Sequence, residues 1–210
     1  MAQKHYKYFL GLNEHKKNQM FNNMAFGLVA ALGISHLCWL IFSDHAAWWL
    51  VLLRAFQYTG MTLVLSVPRM LRDTWRFDVP PLISIFVILY CLCSLILGDG
   101  LDLNGRIGWW NSLVLAETGI MLPLIFLWLL HVGLHLYPEK FRYIKHSFQL
   151  ALAVVGLSLL TGAITTFPLY ADAAQGFLIL FVCAFVVALI GLIRHNTLVE
   201  KYRPQPAPEK

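Results

Sequence analysis

Residues 24–67 read MAFGLVAALGISHLCWLIFSDHAAWWLVLLRAFQYTGMTLVLSV. Two apolar runs, Met24–Phe42 and Ala46–Val67, are separated only by Ser43, Asp44 and His45. Each is close to the ~20 residues that a helix rising ~1.5 Å per residue needs to cross the hydrocarbon of a bilayer. A connection this short forces the two helices to be antiparallel neighbours, so the stretch predicts a transmembrane hairpin. Four more runs of spanning length follow it: Pro81–Leu97, Trp109–Leu136, Phe148–Tyr170 and Gly176–Ile193. The sequence therefore predicts an all-α integral membrane bundle of six transmembrane helices.

The basic residues orient the bundle. With connections assigned alternately to the two membrane faces, one face receives Lys4, Lys7, Lys16 and Lys17, then Arg69, Arg72 and Arg76. The same face receives Lys140, Arg142 and Lys145, and finally Arg194, Lys201, Arg203 and Lys210. The opposite connections hold Arg106 together with Asp44, Asp99, Asp102 and Asp172. Lysine and arginine are retained on the cytoplasmic side, so both termini are expected there. Trp39, Trp48, Trp49, Trp109 and Trp110 all fall near the expected outer surface, where amphipathic indoles prefer to sit. The reading divides the chain into a basic arm, 1–21, a six-helix domain, 22–197, and a proline-containing tail, 198–210, expected to be disordered.

Composition narrows the function classes. Of the 210 residues 59% are hydrophobic and only 13% charged, which suits a chain solvated mostly by lipid. The net charge of +5 needs no nucleic-acid partner, because basic loops facing anionic headgroups account for it. The bilayer is thus the expected partner, and nothing in the sequence specifies a protein partner or an oligomer. About twenty polar and basic residues open the chain and the first apolar run is long enough to span, so it reads as a retained anchor and not a secretory signal. Cys38, Cys91, Cys93 and Cys183 all lie inside spans without a zinc-type pair, and read as small apolar side chains. His131 and His135 share a helix face at the spacing of a metal pair, but no further ligands stand near them, so neither metal nor cofactor is expected.

Polar residues inside spans carry the candidate site. Arg54 lies eight residues into the second span and Glu117 eight residues into the fourth, so each is ~12 Å below the outer boundary. His36 enters the same layer from the first span, and Gln57 stands about one turn below Arg54 on the same helix face. An unpaired charge at the centre of a spanning helix costs about 2.5–3.5 kcal/mol on insertion scales. Matched depth predicts that Arg54 pairs with Glu117. His36, Arg54, Gln57 and Glu117 then form either an outward-opening polar pocket, for a ligand or a proton path, or a buried ion pair that orients the second and fourth helices. Gly27, Gly33, Gly156, Gly162 and Gly191 are expected at close helix contacts.

Residues 65–119, LSVPRMLRDTWRFDVPPLISIFVILYCLCSLILGDGLDLNGRIGWWNSLVLAETG, carry a resemblance. A proline-flanked basic loop (Pro68, Pro80), a span closing on Leu97-Gly98-Asp99, and Trp110 resemble the YjdF-like group of bacterial multispanning membrane proteins. That group's tryptophan motif continues with an aspartate and a histidine where this chain has Asn111 and Leu115, and its loop tyrosine is missing here. The resemblance implies a six-helix bacterial membrane protein and no particular activity.

Three classes of function fit. The leading one is non-enzymatic, a small-solute carrier component or an accessory membrane subunit with a polar outer-leaflet pocket. A second is an intramembrane enzyme acting on a lipid or isoprenoid. The inner loops supply bases for phosphate but only Asp73, Asp78 and Glu139 as acids, so no catalytic residue is assigned. The third is a sensor or partner protein working through its loops.

Overall fold

The computed structural model describes residues 14–42, 47–71, 75–137, 147–166, 173–193 and 205–206. These are helical almost throughout: α1 (Glu14–Phe42), α2 (Trp48–Met70), α3 (Pro81–Tyr90), α4 (Leu103–Arg106), α5 (Trp110–Leu136), α6 (Ser147–Thr166) and α7 (Ala173–Ile193). A π-helical segment, Cys91–Gly100, continues α3 without a break. A two-residue antiparallel pairing joins Trp75–Arg76 to Gln205–Pro206, so that part of the tail lies against the connection between α2 and α3.

Local chemistry explains several boundaries. Pro81 occupies the first turn of α3, where its missing N–H would be unpaired in any residue. Pro68 stands inside α2, which runs on to Met70 rather than ending at Val67 as its apolar run does. Residues 14–21, read from the sequence as part of the arm, form the first turns of α1. Their continuation is anchored: Asn22 donates to the Val79 carbonyl at 3.2 Å and accepts from the Ser84 hydroxyl at 2.9 Å.

Four of the helices are long and apolar enough to cross a membrane: Lys17–Phe42, Trp48–Met70, Pro81–Asp99 and Trp110–Leu134. α6 and α7 contribute shorter apolar stretches, Gln149–Ile164 and Gln175–Gly191. The chain is helical, and its apolar helices are compatible with a multi-pass arrangement in a membrane. Its surface fits that solvent, since Phe177, Leu178, Phe181, Val182, Phe185, Val186, Leu189 and Ile190 line the exposed side of α7. His36, Arg54, Gln57, Ser84 and Thr118 are buried instead. Lipid gives apolar side chains no reason to hide, so burial here follows packing and polar pairing.

α5 organises the bundle. On one side it meets α3 and the π segment, which also pack on α1, while α2 packs on α1. Val29, Leu65, Val87, Leu95 and Trp128 lie in that larger core. On its other side α5 meets α6 and α7 around Leu127, Leu150, Val154 and Ala188. Small residues permit the approach at some of the expected positions. A Cβ built on Gly33 would fall 2.8 Å from the Tyr58 ring, on Gly162 2.7 Å from Leu180, and on Gly191 2.8 Å from Leu127. Gly27 and Gly156 face open space, which corrects the expectation of close contacts there. Gly119, which the sequence reading did not single out, is a contact: its Cβ would meet the Cys183 Cβ at 2.8 Å.

Candidate functional site: a buried arginine–aspartate pair on a π-helical turn

Arg54 projects from α2 into the bundle and is only 2% exposed. Its Nε donates to Asp99 Oδ2 and its second terminal nitrogen to Asp99 Oδ1, each at 2.7 Å. The remaining terminal nitrogen donates to Gln57 Oε1 at 2.8 Å. All three nitrogens are engaged, and the carboxylate is gripped by the two-pronged geometry that makes arginine–carboxylate pairs strong and directional. Gln57 passes the chain on, donating from Nε2 to the Tyr90 hydroxyl at 3.2 Å.

Asp99 reaches this place because of how its segment is wound. The sequence predicts an outer connection there, whereas Asp99 forms part of the last turn of the π helix. Tyr90 immediately precedes that segment, nine residues before Asp99. Nine residues make two and a half turns of an α-helix at 3.6 per turn, which would put Tyr90 and Asp99 on opposite faces. A π helix closes i→i+5 bonds and holds about 4.4 residues per turn, so the same nine residues make about two turns and share a face. The winding thus brings both side chains to one turn of α2, where Arg54 and Gln57 receive them. π turns are uncommon and cluster at functional positions.

His36 closes the cluster from α1. Its Nδ1 lies 3.1 Å from the Tyr58 hydroxyl. Its Nε2 is buried without a hydrogen-bond partner and stands 4.0 Å from Asp99 Oδ2, too far for a direct bond. Trp39, one turn on, stacks on the imidazole with ring centroids 6.0 Å apart. Beside these residues a cleft of about 280 Å³ opens between α1 and the π segment, lined by Leu32, Ser35, His36, Trp39, Ile96 and Leu101.

Of the residues expected at the site, the structure bonds Arg54 and Gln57 to each other, to Asp99 and to Tyr90, and sets His36, in contact with Tyr58, 4.0 Å from Asp99. The expected pairing of Arg54 with Glu117 is not formed. Glu117 is half-buried on α5 and, among the described residues, makes no hydrogen bond or ion pair. Equal depth fixes only one coordinate. α2 packs principally on α1, while α5 packs on α3, α6 and α7, so the second and fourth spans are not close neighbours. Asp99, Tyr58 and Tyr90 were missed. Leu97-Gly98-Asp99 closes the third apolar run, and an acid in a loop there would have no defined direction. His131 lies half-buried on α5, and the side chain of His135 falls outside the described residues.

The cluster carries one cation and one anion held in register, with an unused imidazole nitrogen beside them and an apolar cleft alongside. That arrangement offers charge and hydrogen-bonding groups to a small polar or anionic group. Nothing among protein families, curated proteins or solved structures matches this chain.

Proposed function

We propose that the chain is a six-span carrier component of a bacterial cytoplasmic membrane, with both termini cytoplasmic and its solute site at the Arg54–Asp99 cluster in the outer leaflet. One observation carries the reading: an arginine only 2% exposed within a spanning helix, gripped by an acid on a π-helical turn. Ionisable groups inside membranes are expensive and mark pathways for solutes and ions. Transporters also build binding sites where a spanning helix departs from regular α winding. The stretch that resembles the YjdF-like group contains Asp99. In this reading α6 and α7 also cross, completing six spans.

The experiment is solute counterflow into proteoliposomes holding the full chain, tested with mixed amino acids, sugars and mono- and dicarboxylates. Arg54→Lys keeps the charge but cannot grip a carboxylate with two parallel bonds. We expect one solute class to be exchanged by the native chain and lost in this variant, with the variant still folded. No exchange of any class, or equal exchange by Arg54→Lys, overturns the proposal.

A further inference from the structure

We infer that the cluster is a binding site for an apolar monocarboxylate, whose carboxylate takes the place of Asp99 on Arg54 while its tail fills the neighbouring cleft. The inference deepens the carrier reading by naming its solute class, but the binding itself does not depend on transport.

Charge comes first. Arg54 is committed to a carboxylate, and both of its contacts with Asp99 measure 2.7 Å. A carboxylate from outside replaces the resident one with no change in the charge buried around Arg54, whereas a cation or a dianion would leave an imbalance. The two partners are not equally fixed. Arg54 is 2% exposed and Asp99 14%, and Asp99 is flanked by Gly98 and Gly100 at the end of its segment. Asp99 is therefore the partner free to leave. Relaxation of the π turn toward α winding would carry it around the axis, because α winding sets Tyr90 and Asp99 on opposite faces.

The surroundings supply the remaining contacts. His36 is buried, its Nε2 lacks a hydrogen-bond partner, and it stands 4.0 Å from the oxygen that the incoming carboxylate would replace. It offers a further bond to that carboxylate. His36 also forms the polar end of the cleft, whose other walls include Leu32, Trp39, Ile96 and Leu101. At about 280 Å³ the cleft is at the small end of ligand pockets, which fits a short aliphatic or single-ring acid. The apolar walls argue against a sugar acid or a dicarboxylate.

The test uses octanoate with the full chain in nanodiscs, read by calorimetry and by Trp39 fluorescence. Octanol, with the same tail and no charge, is the control. Asp99→Asn removes the competing carboxylate, so octanoate should bind about tenfold or more tighter than to the native chain, while octanol should not change. Ser35→Trp fills the cleft from an exposed position and leaves the ion pair intact, so it should abolish octanoate binding even if Asp99→Asn folds poorly. Unchanged octanoate affinity in folded Asp99→Asn, an equal gain for octanol, or full binding by Ser35→Trp overturns the inference. Octanoate that binds with the expected gain but does not cross in proteoliposomes keeps this site and overturns the carrier reading instead.

Discussion

The Arg54–Asp99 pair decides what single substitutions do. Removing one partner leaves the other buried and charged, which costs about 3–5 kcal/mol in buried pairs of soluble proteins. Arg54→Leu and Asp99→Leu should each reduce the yield and thermal stability of folded protein, measured by size-exclusion melting in detergent. Their combination should recover much of the loss, with a coupling of about 1–3 kcal/mol in a double-mutant cycle. Arg54→Leu with Glu117→Leu should instead be close to additive, because no bond joins those residues. A larger coupling to Glu117 than to Asp99 would contradict the pairing. His36, Arg54 and Gln57 were legible as a polar layer because depth along a helix can be counted from its ends. Their true partners were not, because depth carries no information about which helix stands beside which.

At the scale of elements, two features hold the bundle and can be tested separately. The first is the contact of α5 with α7 at Gly119, where an added Cβ would also lie 3.3 Å from the Leu180 carbonyl oxygen. That oxygen and the Cys183 Cβ belong to or adjoin backbone, so they yield only if a helix moves. Gly119→Ala should destabilise by about 1–3 kcal/mol, as overpacking does. Gly156→Ala meets nothing and should be neutral or stabilising by up to about 1 kcal/mol, since alanine favours helix over glycine. Equal effects at the two positions would show that α5 and α7 do not meet there. The second feature is the π segment, held at its two ends by Tyr90 on Gln57 and Asp99 on Arg54. Asp99→Asn loosens one end, so amide exchange across Cys91–Gly100 should quicken while α6 stays as it was. Unchanged exchange would mean that the winding does not depend on the pair. None of this was legible in sequence: apolar period and length identify a span, but Pro81–Leu97 carries no local mark of where α winding gives way to π.

For the whole molecule, the sequence was most informative where the bilayer imposes the rule. A backbone in hydrocarbon must satisfy its own hydrogen bonds, so long apolar runs become helices, and the described residues of all six runs are helical apart from Ala47 and Trp109 at their starts. Length is less decisive for α6 and α7, whose apolar stretches are the shorter ones, and orientation rests on charge alone. The topology prediction therefore tests both together. With the four native cysteines replaced by alanine, Arg106→Cys introduces a thiol on α4, where the native side chain is 73% exposed. Its ion pair with Asp102 is 4.0 Å long at an exposed site and contributes little, so folding should be unaffected. The change also removes the base that the outer connections are expected to hold, so it cannot bias the chain against its native orientation. An impermeant maleimide should label this thiol on intact cells. Reporter fusions at Lys4 and Lys210 should both register the cytoplasm, which requires an even number of crossings. An outside reporter at Lys210 with an inside one at Lys4 would mean that α6 or α7 fails to cross. Labelling of Arg106→Cys only after the cells are opened would reverse the orientation and turn the Arg54–Asp99 cluster and its cleft toward the cytoplasm.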